Sequence, residues 1–154
     1  MTPTCDCGFA DVHDTDIPWP PSEPYTREQV LEHLTVVVER VGPDHGLGDG
    51  CRYLDGEVST AYENNEIERV ARTCPRCLIG FLLVRLNYPR SELATWNESS
   101  VSILLGGCSP NWRPRSPHFT KGALRVMRAA QREQDAALSW GEALVAAAVG
   151  VTHE

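Results

Sequence analysis

The sequence predicts a compact, mainly α-helical single domain, α+β only by one small hairpin, with an irregular N-terminal arm. Three observations predict this. Apolar residues recur at helical spacing directly after Thr26, cap signals at Thr120 and Ser139 open two helical stretches near the end, and prolines crowd the chain before residue 25. We place the arm at 1–25 and one α-rich domain at 26–154. A chain of 154 residues is near the usual size of one domain and can bury a core without a staple.

In the arm, Pro18-Trp19-Pro20-Pro21-Ser22-Glu23-Pro24 excludes a helix. Its prolines lack donors and push their predecessors into extended shapes. The arm should drape across the surface, with Trp19 as an anchor. Thr26 and Gln29 then fit a capping box. Val30, Leu31, Leu34, Val37, Val38 and Val41 form one apolar face, and Gly42-Pro43 ends the helix.

The middle of the chain reads less sharply. Asp55-Gly56 suits a hairpin turn between short strands at 51–54 and 57–62. Asn65 and Glu68 suggest a cap for a short helix through Arg72. Leu78–Asn87 is apolar nearly all round, so periodicity leaves it a buried strand or a buried helix. Gly80 and the leucine content lean towards helix. Ser91 would cap a short helix through Trp96, and Val101–Leu105 reads as extended. Cys108–Pro117 is a proline-rich loop. Thr120 starts a long helix with Leu124, Met127, Ala130 and Leu138 on one side, and Ser139 with Glu142 caps a last one.

The net charge of -7 favours solubility and argues against wrapping the whole protein around nucleic acid, while leaving room for a local basic patch. The first residues form no signal peptide, and the longest apolar stretches, Leu78–Leu86 and Leu144–Val151, are too short to span a bilayer. The expected location is therefore cytoplasmic, away from membranes. In that reducing compartment the six cysteines are thiols or metal ligands, not disulfides.

Cys74-Pro75-Arg76-Cys77 can turn two thiolates towards one ion, and Cys5-Asp6-Cys7-Gly8 is a second close pair. Four such thiolates satisfy tetrahedral zinc, so Cys5, Cys7, Cys74 and Cys77 are candidate ligands of a structural zinc that ties the arm to the domain. His13, His45 and Cys108 are alternative fourth ligands. The bland alternative makes Cys51, Cys74 and Cys108 small core residues. Cys77 is also a candidate nucleophile if a helix starts there, with His33, His45 or His118 as the base. A dithiol redox role for Cys74 and Cys77 lacks the βαβ context it needs.

Lys121, Arg125, Arg128 and Arg132 fall at i, i+4, i+7 and i+11, on one helical face, and Arg113 and Arg115 lead into them near Trp112. Such a face can track phosphates; its ordinary role is a solvated helix side. Gly46-x-Gly48-x-Gly50 lacks the strand and helix of a phosphate loop, and Asp11, Asp14 and Asp16 lack the spacing of a calcium loop.

Cys51-Arg52-Tyr53-Leu54, followed by Arg76-Cys77-Leu78-Ile79-Gly80 and Leu86-Asn87-Tyr88-Pro89, is similar to a pattern of Cys-x-Tyr, Ser-Cys-Ile-Val-Gly, a helix and Leu-Gly-Val-Pro. Ala130-Gln131, Gln134-Asp135 and Trp140-Gly141-Glu142-Ala143 are similar to Ala-Gln-x-x-Gln-Asp and Trp-Gly-Glu-Ala. On these residues the chain resembles uncharacterised small helical proteins of actinobacteria and their phages. The resemblance implies a helix over 78–87 with Cys77 at its N-terminus, and it implies no activity. The chain departs from the pattern in its Cys-x-Cys and in Cys74, which raises the question of a metal.

The expected role is non-enzymatic: a binding or regulatory protein acting through contact with another protein, from host or phage, with Trp19 in the contact and zinc or thiol packing holding the arm. The alternatives are a nucleic-acid binder using the basic face and a cysteine enzyme using Cys77. Nothing in the sequence sets the oligomeric state.

Overall fold

A computed structural model of the chain describes residues 12, 15–42, 64–65, 78–89, 117–136 and 139–152. They hold four α-helices: α1 (Arg27–Val41), α2 (Leu78–Arg85), α3 (Lys121–Asp135) and α4 (Trp140–Gly150). Of the described residues 64% are helical and none lies in a sheet, so the class is mainly α. α1 and α3 pack together at the centre, and each touches both α2 and α4. The hairpin expected at 51–62, the short helix ending at Trp96, the stretch 101–105 and Leu138 lie outside the described residues.

Each long helix starts where a side-chain oxygen can take an orphan amide. Thr26 accepts from the Gln29 amide while the Gln29 side chain accepts from the Thr26 amide, a complete capping box. Thr120 accepts from the Ala123 amide at the head of α3. At α4 the Ser139 hydroxyl accepts from the Glu142 amide and donates to the Glu142 carboxylate. Such caps contribute about 1 kcal/mol each. α1 ends at Gly42, whose φ of 128° lies where side chains are strained.

Within the apolar stretch 78–87, Leu78–Arg85 is helix, not strand, and 86–87 form the turn that follows it. From Leu78 to Val84 every residue is buried, which is why no periodicity shows: there is no solvent side to mark. The helix closes with a Schellman motif. The Tyr88 amide donates to the Leu83 carbonyl and the Asn87 amide to the Val84 carbonyl, with Asn87 left-handed at φ 65°. Asn65 corrects an expectation. It sits in a turn at φ 58°, not in the extended conformation of an N-cap.

The core gathers Val30, Leu34, Val37 and Val38 of α1 and nearly all of α2. α3 adds Leu124, Met127 and Ala130, and α4 adds Trp140, Ala143 and Ala147. Phe81 meets Trp140 edge-on at 5.6 Å. Burying each large side chain here contributes about 1.5–3 kcal/mol.

Residues 15–25 are irregular, with bends at 19–20 and 22–23, and run across the helices as a strap. Thr15, Ile17, Trp19 and Pro21 turn inward, while Asp16, Pro18 and Pro20 are exposed. The strap is part of the domain's packing: Val12 and Tyr25 are in the core, and Ile17 and Trp19 lie against it. At its end Tyr25 forms a parallel bridge with Phe119, donating to the His118 carbonyl at 2.8 Å and accepting from the Thr120 amide at 2.9 Å.

Candidate functional site

Two surfaces carry the described candidate residues: the strap and the outer side of α3. The strap is held by rings at its middle and polar ties on either side. Trp19 is half-buried, with ring centroids 4.9 Å from both Tyr88 and His118 and 6.3 Å from Phe119. Tyr25 stacks on Phe119 at 5.8 Å and meets His33 edge-on at 6.2 Å. Trp19 thus fixes the strap from within, in the anchoring position that the sequence suggested for it.

The polar ties come from the C-terminal end of α2. Asn87 Nδ2 donates to the Thr15 carbonyl at 3.0 Å and to the Ile17 carbonyl at 2.5 Å. The Thr15 hydroxyl donates to the Arg85 carbonyl at 2.6 Å. The Arg85 guanidinium donates to the Val12 carbonyl at 2.8 Å and, through Nε, to His33 Nδ1 at 3.1 Å. Burial first, then the neighbouring Arg85 charge, holds the His33 imidazole below its usual range, against the opposing pull of Glu32. Burial raises the Tyr25 phenol. Where the strap joins α1, an open groove of about 330 Å³ is lined by Pro18, Pro21, Glu23, Pro24, Thr26 and Gln29 among others.

On α3 the predicted face exists. Lys121 and Arg132 are exposed, Arg125 and Arg128 are half-buried, and the residues between them face the core. Along this run α3 carries no acid before Glu133, which lies 3.4 Å from Arg132. Arg113 and Arg115 lie outside the described residues.

So do Cys5, Cys7, Cys74 and Cys77, together with Cys51, Cys108, His13 and His45. Among the described residues no cluster of metal-ligating side chains occurs. The two described histidines offered as bases for Cys77 are both engaged, His33 by Arg85 and His118 by Trp19. The Leu78 amide at the head of α2, one of the donors that would favour a thiolate there, is donated to Gln134 Oε1 at 2.7 Å.

Sequence reasoning missed that glutamine and one arginine. Gln131 and Gln134 are both buried on the inner side of α3. Their signal was available, since they continue the apolar side of Leu124 and Met127 at helical spacing. Arg27 reaches from the first turn of α1 to the Val151 and Ala148 carbonyls at the end of α4. A cation suits a helix C-terminus.

No protein-family model, characterised protein or solved structure matches this chain. Among the described residues no helix is long and apolar enough to cross a membrane.

Proposed function

We propose that this protein is a non-enzymatic binding module that acts by contact with another protein, through the outer face of the strap. The observation that supports this is the strap's ordering. Its inner residues are pinned to the helices, so Asp16, Pro18, Pro20, Ser22, Glu23 and Pro24 are displayed outward in one fixed arrangement. A rigid surface loses little entropy when it binds. The fitting partner carries aromatic rings for the prolines and cations for Asp16 and Glu23. Trp19 then acts as the residue that shapes the surface.

Photo-crosslinking from position 23, with position 145 on α4 as the control, checks this in lysate of the source cells. A protein captured from position 23, competed by unlabelled chain, should in purified form bind the D16K/E23K double variant at least about tenfold more weakly, a change of about 1.4 kcal/mol. Equal binding to the double variant, or competed capture from position 145 alone, overturns the reading. A structural zinc on Cys5, Cys7, Cys74 and Cys77 belongs to the same proposal. Elemental analysis of protein purified without chelator should find about one zinc per chain, and none removes it.

A second reading, nucleic-acid binding, is favoured by the acid-free spacing of Lys121, Arg125, Arg128 and Arg132 along one side of α3. Affinity for a random duplex should then fall steeply with salt and collapse in the R125E/R128E double variant. Salt-independent binding counts against it.

A further inference from the structure

The tie between His33 and Arg85 has a chemical asymmetry. A guanidinium carries only donors, so when Arg85 Nε–H points at His33 Nδ1, that nitrogen must be an unprotonated acceptor. The neutral imidazole with its proton on Nε2 is thereby specified. The same guanidinium holds the Val12 carbonyl, and the Arg85 carbonyl holds the Thr15 hydroxyl. One residue of α2 therefore joins the imidazole of α1 to the start of the strap.

We propose that His33 is a pH-sensitive lock on the strap: while neutral it holds Arg85 against Val12, and on protonation it releases Arg85 and loosens Val12 and residues 15–25. Protonating Nδ1 removes the only lone pair that Arg85 Nε can use and sets two cations in contact in a half-buried site. Arg85 must then turn towards water, and its bond to the Val12 carbonyl goes with it. Among the described residues, the groups facing this pair are Tyr25 from the strap and Glu32 and Arg40 from α1. Tyr25, its phenol raised by burial, stays neutral and offers no compensating charge. Glu32 favours the imidazolium but is exposed, while Arg40 adds positive charge beside Arg85.

The sign follows. A histidine held below its unfolded pKa makes the unfolded or released state bind more protons. The lock is complete above about pH 6.5, the free imidazole value, and is lost as pH falls from there through the folded value. Each unit between the two values changes the released population about tenfold. The inference holds whatever the strap contacts, so its failure and that of the binding proposal are separable.

Hydrogen exchange of the full chain at about pH 7.5 and about pH 5, corrected for intrinsic rates, tests it across the range where histidine titrates. Protection of the peptide over 15–25 should fall relative to peptides from α3 and α4, by at most the roughly thirtyfold that one imidazole titrating below about pH 6.5 allows. In His33→Asn, whose Oδ1 can replace the Nδ1 acceptor and does not titrate, the strap should stay protected at both pH values. A strap unchanged in the wild type, or loosened equally in His33→Asn, overturns the proposal. Histidine-observed NMR of the wild-type chain gives a readout independent of any variant's folding: a His33 pKa at or above about 6.5 also overturns it.

Discussion

The helical body and the strap are held by different physics. In the body, α1, α3 and α4 begin at side-chain caps within three residues of the amides they serve, and apolar burial joins them. In the strap, the hydrogen bonds span 70 residues and more: Thr15 to Arg85, Asn87 to Thr15 and Ile17, and Arg85 to Val12. Apolar burial is insensitive to pH and tolerates small shifts. Polar ties at a helix end depend on a few donors and on their protonation. The body should therefore unfold as a unit, while the strap opens below the global transition.

The largest perturbation should break the comparison by collapsing both regions. Trp140 is fully buried and meets Phe81, so Trp140→Ala should cost about 3–5 kcal/mol in chemical denaturation. Strap and body should then lose protection together. A smaller effect should localise to the body. Gln134→Ala leaves the buried Leu78 amide without its acceptor, which should cost about 1–3 kcal/mol. Exchange at the head of α2 should rise first.

Asn87→Gly sharpens the comparison from the other side. Glycine accepts the left-handed φ of 65°, so the Schellman motif survives while the side-chain ties to Thr15 and Ile17 are lost. We expect about 1–2 kcal/mol, seen mainly as faster exchange over 15–25 with the body's protection kept. The smallest effect belongs to α4, where Val145 and Val149 are 62% and 71% exposed. Val149→Lys should change stability by no more than about 0.5 kcal/mol by denaturant titration. A larger loss there would mean that this side of α4 is covered in solution.

Much of the body was legible because its signals are local. The Thr26–Gln29 box, the Ser139 cap and the stop at Gly42 each lie within one turn of the element they bound. The basic side of α3 followed from spacing, which a continuous helix preserves. The candidate site was legible only in part. Prolines and Trp19 marked an irregular arm, yet no local pattern shows that Tyr88, His118 and Phe119 receive the indole, because those contacts join residues far apart in sequence. The cysteine quartet lies outside the described residues.

What the sequence determined by itself is the helical class, the caps and the sides of α1 and α3, since helix caps and periodicity act over three to seven residues. Tertiary structure decided the rest. Leu78–Arg85 is uniformly apolar, and only burial on every side explains that composition. Arg27 stands in the first turn of α1, where a cation is locally unfavourable, because the carbonyls that need it belong to α4. His33 and Asn87 look like ordinary polar residues until the fold brings them to one end of α2. There, orphan carbonyls and a single guanidinium set what the strap can do.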